Sequence, residues 1–310
     1  MSGAPAGPVP GSMVSFEPGL PVPVSSPMPD AFHLLEETVT RDVTRALAED
    51  VGTGDLTARL IPEAERGRAR LMTRQSGVLC GVEWLRRTFE ELDPDVEIFW
   101  HHRDGDDIVA NSSLCEIEGK ARALLTGERT SINFVQLLSG VATRTRQFVR
   151  AVQGTRAKIV DTRKTIPGLR IAQKYAVHVG GGTNHRIGLY DGILVKENHI
   201  AACGGIAQAV RLAMHEASAD MMVQVEVEDL RGLAEAIEAG ARQVLIDNFD
   251  LPAMREAVKL AGDRAELEAS GGVHLSNVRA IAETGVHRIS IGSITKNVDA
   301  LDLSMRFVNP

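Results

Sequence analysis

Two periodicities divide the chain. From Ala31 the apolar positions Leu35, Val39, Val43 and Leu47 recur every fourth residue, which predicts a helix with one buried face. That period breaks at Glu49 to Thr57, where two glycines interrupt it, and an acidic turn is expected there. Between residues 67 and 118 short apolar runs, Ala69 to Thr73, Val78 to Cys80, Val96 to Trp100 and Leu114 to Ile117, read as strands. A helix over Val82 to Leu92 interrupts them. This mixture predicts an α+β domain with an antiparallel sheet. A long helix follows from about Ala121 to Gln153, with Leu125, Ile132, Leu137, Leu138, Val141 and Phe148 as its apolar side.

After Lys158 the rhythm changes. Apolar runs at Ile159-Val160, Ile193 to Val195, Val223 to Val227, Val244 to Ile246, Leu267 to Ala269 and Ile289 to Ile291 alternate with amphipathic stretches such as 230–239, 251–261 and 275–284. Strands that alternate with helices pair in parallel, because parallel neighbours need a crossover. Six strands can be counted this way, and their ends carry the chemistry. Asp161, Lys196 and Asp247 follow their runs, Glu226 lies inside its own, and Ser270-Gly271-Gly272 and Gly292-Ser293 close the last two. Single acids at strand ends commonly cap the next helix. Complementary groups at every end instead indicate the mouth of an α/β barrel, where such folds place their sites.

Charge sharpens that picture. The 310-residue chain carries a formal net charge of -7, yet residues 161 to 199 hold six Lys/Arg (Arg163, Lys164, Arg170, Lys174, Arg186, Lys196) against three acids (Asp161, Asp191, Glu197). His178, His185, His199 and the run Gly180-Gly181-Gly182 share this window. Arginine forks and lysine point charges bind carboxylates, and glycines admit a close backbone. The stretch reads as a pocket for a small polyanion. Glu226 and Asp247 add an acidic patch suited to Mg²⁺ or a sugar hydroxyl, and the two Gly/Ser segments a phosphate cradle. The substrate pattern is a phosphorylated sugar beside a separate polycarboxylate. Glycine pairs can also simply turn the chain, and Lys196 at a strand end could form a Schiff base as in barrel aldolases. His178 and His199 suit packing or hydrogen bonding.

Composition excludes other classes. Net acidity disfavours nucleic acid, and no apolar run approaches a membrane span. Cys80, Cys115 and Cys203 have neither paired nor metal-ligand spacing, which fits a reducing, cytoplasmic setting. Zinc and dinucleotide motifs are missing, so no organic cofactor is expected. Residues 1–30, rich in Pro, Gly and Ser with almost no charge, read as a disordered leader.

On Glu49 to Thr57, Glu128-Arg129-Thr130, Asp161 to Arg170, Gly181 to Arg186, Val195 to His199, Glu226, Leu245 to Phe249, Glu268 to Gly272 and Ile291-Gly292-Ser293, the chain resembles the quinolinate phosphoribosyltransferase family, from about Leu35 to Phe307. The resemblance implies an N-terminal α/β sandwich domain (31–138, with 296–310 returning to it) and an incomplete, roughly seven-stranded α/β barrel (139–295) of the type II phosphoribosyltransferase kind. It implies transfer of a phosphoribosyl group from phosphoribosyl pyrophosphate to quinolinate, with decarboxylation to nicotinate mononucleotide. Carried over, Arg129, Thr162, Arg163, Lys164, His185, Arg186 and Lys196 would line the quinolinate pocket. Glu226 and Asp247 would hold ribose hydroxyls and Mg²⁺, and Ser270, Gly271, Gly272, Gly292 and Ser293 the 5-phosphate. Lys164, Lys196, Glu226 and Asp247 would carry the chemistry. A homodimer at least is implied, in which Arg129 completes the neighbour's site. Rival readings are a nicotinate-specific relative, a Schiff-base aldolase and a non-catalytic metabolite-binding module.

Overall fold

A computed structural model describes residues 35–308. The leader 1–30 and the predicted start of the first helix at Ala31 lie outside the described residues. Helix α1, Leu35–Val51, follows the fourfold period, with Val39 and Val43 buried. Its acidic end is a turn held by Asp55, which accepts the Thr57 and Ala58 N–H groups at 2.9 Å.

The first half is built on an antiparallel sheet of β1 (Arg66–Thr73), β3 (Glu97–Trp100), β5 (Ser113–Lys120) and β12 (Leu303–Phe307), in the order β12-β1-β5-β3. A small ribbon pairs β2 (Gly77–Val78) with β4 (Asp107–Ile108). Ala69, Leu71 and Thr73 of β1 point inward while Arg68 and Arg70 point out, the two-residue alternation of a sheet wet on one face. Helix α2 (Val82–Leu92) covers the buried face with Leu85 and Phe89, one turn apart.

Helix α3, Ala121–Ala151, has 31 residues and is therefore roughly 46 Å long. Leu124, Ile132 and Val135 pack into the antiparallel half, whereas Leu138, Val141 and Phe148 join the second core. One helix thus serves as a wall of both halves.

In the second half, β6 (Lys158–Val160), β7 (Gly192–Val195), β8 (Met222–Val227), β9 (Gln243–Asp247), β10 (Glu266–Ser270) and β11 (Arg288–Ser290) form a parallel sheet, ordered β6-β11-β10-β9-β8-β7. The connections carry α4 (Arg170–Val179), α5 (Glu197–Cys203), α6 (Ile206–Glu216), α7 (Leu230–Glu238), α8 (Leu251–Ala261) and α9 (Val278–Ala282), and α10 (Ser293–Lys296) follows β11. Past the free edge of β6 a single parallel bridge, Val160 to Thr183, extends the sheet. Side chains from β8 and β10 meet His185 across the interior, so the sheet is curled into an incomplete barrel.

Candidate active site

The carboxyl end of the parallel sheet gathers the strand-end residues. After β6 come Asp161, Thr162, Arg163 and Lys164; Lys196 follows β7, Glu226 is near the end of β8, Asp247 ends β9, and Ser270 ends β10. Glu226 and Ser270 each lie two residues beyond a fully buried polar residue, Gln224 and Glu268. Period-two alternation places each pair on one face, so the mouth layer sits directly above a polar layer in the barrel interior.

The cations are arranged to receive an anion. Among the described residues no carboxylate forms an ion pair with Arg163 or Lys164, and Arg163 Nε is buried without a hydrogen-bond partner. Burial, and next the like charge of Arg163, push the Arg186 guanidinium below its usual range. Arg186 Nη1 donates to the Gly192 carbonyl at 2.8 Å, which fixes its side chain beside β7. Lys196 Nζ stands 3.2 Å from Glu226 Oε2, so that acid is already neutralised by a cation at the opening. Asp247 accepts the Asn248 side-chain amide at 2.8 Å.

The two Gly/Ser segments differ in how tightly they are built. Gly271 has φ +93°, and a Cβ there would lie 2.1 Å from Asn248 Oδ1, so neither the conformation nor the space admits another residue. At Gly292 a Cβ would fall 2.8 Å from the Lys164 side chain, which brings the last strand end against the first. Gly272, with φ +59°, and Ser293 complete the two turns around the same opening. Two open cavities of about 290 and 570 Å³ border the mouth on the side of Glu226 and Asn248, both touching Glu228, Asp229 and Arg231.

Two predicted residues sit apart from this opening. Arg129 is exposed on α3, beside Thr130, whose hydroxyl donates to Asp50 at 3.4 Å, and it makes no hydrogen bond or ion pair with the strand-end residues of its own chain. His185 is buried, and both its ring nitrogens have partners within the chain. Its imidazole is held below its ordinary pKa, chiefly by burial. His199 is a local hydrogen-bonding residue, accepting the Lys196 N–H on Nδ1 at 3.0 Å.

Beneath the mouth lie Asp161 and Lys174, which the charge pattern counted with the polyanion pocket, and Gln224 and Glu268, which sequence reasoning gave no role of their own. Lys174 on α4 is fully buried and paired with Asp161, and its Nζ also donates to the His185 carbonyl at 2.9 Å. Asp161 accepts the Asn184 amide at 2.6 Å and the His185 N–H at 2.8 Å as well. Burial pushes the carboxyl up and the ammonium down, while the converging donors favour the ionised pair. This pair ties the Thr162–Lys164 segment to the His185–Arg186 segment. Glu268 and Gln224 could have been found from their phase, a polar side chain two residues before a mouth residue in an apolar strand. Lys174 lies in a helix with no comparable signal.

Comparison with known proteins identifies relatives along almost the whole described chain. Residues 55–139 match the family model described as quinolinate phosphoribosyl transferase, N-terminal domain, and residues 141–306 match its C-terminal domain. A probable nicotinate-nucleotide pyrophosphorylase [carboxylating] of Bacillus subtilis is 44% identical over 257 residues, covering 83% of this chain and 89% of the relative. A chloroplastic nicotinate-nucleotide pyrophosphorylase [carboxylating] of Arabidopsis thaliana is 37% identical over 281 residues, covering 84% of this chain and 80% of its own. The solved structure of the nicotinate-nucleotide pyrophosphorylase from Francisella tularensis superposes with a TM-score of 0.85 at 44% identity, covering 88% of this chain and 97% of that one.

Proposed function

The chain belongs to the quinolinate phosphoribosyl transferase family and carries its activity, phosphoribosyl transfer to quinolinate with decarboxylation in NAD biosynthesis, and we propose that the strand-end mouth is where this happens. The observation that carries this placement is the unpaired cationic cluster, Arg163 and Lys164 beside Arg186, facing the Glu226–Asp247 edge. Quinolinate brings two adjacent carboxylates on a pyridine ring. Arg163, Lys164, Arg186 and Lys196 neutralise them, with Thr162 lending a hydroxyl whose oxygen already accepts the Lys164 N–H at 3.1 Å. As Lys196 turns to a substrate carboxylate, it releases Glu226. Glu226 and Asp247 then hold the ribose hydroxyls of phosphoribosyl pyrophosphate, and Ser270, Gly271, Gly272, Gly292 and Ser293 surround its 5-phosphate.

The pyridine nitrogen attacks the anomeric carbon as the bond to pyrophosphate breaks, and the two carboxylates face the positive charge growing on the ribose. The new pyridinium stabilises the carbanion left when the neighbouring carboxylate departs as carbon dioxide. That carbon then takes one proton, from Lys164 or from a bound water. The residues present fit Mg²⁺ as a substrate-borne ion. No group of three His, Cys, Asp or Glu comes together among the described residues, so Glu226 and Asp247 would reach the ion through substrate or water. Bound there, the ion would offset charge on the departing pyrophosphate.

Arg129, exposed and unengaged by its own chain's mouth, supports an assembly of at least two copies in which it enters the neighbour's site. No described helix is long and apolar enough to cross a membrane, and the three cysteines are free, which supports a cytoplasmic setting. The test is to supply quinolinate, phosphoribosyl pyrophosphate and Mg²⁺ and to follow nicotinate mononucleotide and carbon dioxide, with nicotinate in a parallel reaction. Equal yields of the two products, with little turnover of nicotinate, are expected. Preferential turnover of nicotinate would overturn the dicarboxylate pocket. Trapping of Lys196 by borohydride with a sugar phosphate would point to an aldolase instead.

A further inference from the structure

Beneath the mouth, four polar side chains cross the barrel interior in one line. The Arg186 backbone N–H donates to His185 Nδ1 at 2.8 Å, and an N–H can only donate, so Nδ1 carries no proton. The ring hydrogen of the neutral imidazole is therefore on Nε2, which lies 2.9 Å from Gln224 Oε1 and donates to it. Gln224 Nε2 in turn donates to Glu268 Oε2 at 3.2 Å, and Arg288 Nε stands 3.1 Å from that same oxygen as its ion-pair partner. Each hydrogen bond in this line has one polarity, from donor to acceptor, and the line ends on a fully buried carboxylate, to which Arg288 Nε is held by charge without a hydrogen bond.

We propose that Gln224, Glu268 and Arg288 are positioning residues for the acceptor site, holding His185 as its Nε2–H tautomer so that Nδ1 fixes the backbone of Arg186 at the mouth. His185 is gripped on four sides. Its N–H goes to Asp161 at 2.8 Å, its carbonyl accepts Lys174 Nζ at 2.9 Å, and its two ring nitrogens are engaged as above.

The alternative state is built into the same place. Glu268 Oε1 is buried without a hydrogen-bond partner, 3.8 Å from His185 Nε2. A protonated ring would be drawn to Glu268, and its Nδ1–H would then face the Arg186 N–H, donor against donor. Gln224 separates the imidazole from the carboxylate with a neutral amide and prevents this. The other charged groups facing His185 are Lys174, Asp161 and Arg288, of which Lys174 and Arg288 disfavour the charged ring.

The proposal rests on the reading that the Arg163–Arg186 cluster receives the pyridine dicarboxylate, and the test separates the two. Histidine labelled with ¹⁵N in the intact protein reports each ring's tautomer, with His185 assigned by the signal lost in His185→Asn. An Nε2–H ring with bare Nδ1 at pH 7 is expected; an Nδ1–H ring, or a charged one, overturns the relay whatever the enzyme turns over. In Gln224→Glu, with an unchanged thermal transition required of the variant, the His185 ring should become charged. The KM for quinolinate should then rise about tenfold, the loss of one charge-assisted contact, while that for phosphoribosyl pyrophosphate stays within about twofold. His185→Asn, whose amide oxygen reaches the place of Nδ1, should keep quinolinate binding better than His185→Gln, which reaches the place of Nε2. The opposite ranking of the two His185 variants, or equal rises in both KM values for Gln224→Glu, contradicts the proposal. If the wild-type enzyme fails to use quinolinate, the acceptor reading falls, and the tautomer still decides the relay.

Discussion

Two ion-pair networks, one in each half of the molecule, are built in opposite ways. On the antiparallel sheet, Arg68 and Arg70 of β1 converge on Glu116 of the neighbouring β5, with both arginine side chains more than two-fifths exposed, at 49% and 41%. The arginines pull the Glu116 carboxyl below its usual range, and water remains at hand for both guanidinium groups. In the barrel, Lys174 and Asp161 are completely buried, as is Glu268, whose partner Arg288 is 17% exposed. Exposed pairs contribute little, since water and salt offset their attraction. Buried pairs cost much of their Coulomb energy in lost hydration. Replacing a buried ion pair by well-packed apolar residues is often neutral or stabilising, so the barrel's pairs mark the place where geometry matters more than stability. That place lies directly under the cations that meet the substrate.

The largest expected effect comes from breaking the buried pair. Lys174→Met leaves Asp161 charged and without its main partner, and should lower unfolding free energy by ~3–5 kcal/mol in urea titration. Next is Gly271→Ala, where a Cβ would collide with Asn248 in a backbone conformation that L residues avoid. A loss of ~2–3 kcal/mol is expected in the same titration, with a raised KM for phosphoribosyl pyrophosphate and little change in that for quinolinate.

The seam between the halves gives a pH effect. Asp104 accepts the Tyr175 hydroxyl at 2.9 Å and the Val82 N–H at 3.2 Å, joining α4 of the barrel to the start of α2. Desolvation raises its pKa to about 6. A carboxyl raised in the folded state contributes stability that is full below its unfolded pKa of 3.8 and is lost as pH rises through about 6. Asp104→Asn should therefore flatten the melting temperature between pH 4 and 6, a change worth ~1–3 kcal/mol across that window. The smallest effect belongs to the exposed network. Arg70→Ala should cost less than ~1 kcal/mol, and high salt should shrink even that difference.

The same contrast explains what could be read from residues alone. Helix α1 and the six parallel strands were legible because burial imposes a period on Val39 and Val43 and continuous apolar runs on segments such as Val244 to Ile246. The place of the strand-end cations and acids was legible too, because barrels put their polar residues after such runs. A further strand was not, since the bridge at Thr183 is a single residue and leaves no pattern. Nor was the support under the site. His185, Gln224 and Glu268 lie 39 and 44 positions apart in turn, and only the curl of the sheet brings them together. The resemblance implies a place for His185 in the acceptor pocket, and the partners of its ring nitrogens inside the barrel left no trace in the residue pattern. Arg129 carries no mark of a site on its own helix, because the partner it is proposed to serve is another copy.

Titration calorimetry of quinolinate on the wild-type protein and on Lys174→Met/Asp161→Asn, together with urea unfolding of both, bears most directly on the claim that the buried pair exists for positioning. The double variant removes both charges, so most of the stability lost in Lys174→Met should return, to within ~1–2 kcal/mol of wild type. Quinolinate affinity should stay at least about tenfold weaker, because the buried charged tie between the Arg163 and Arg186 segments is then lost. Recovery of full affinity along with stability would contradict the account and leave the pair as packing alone.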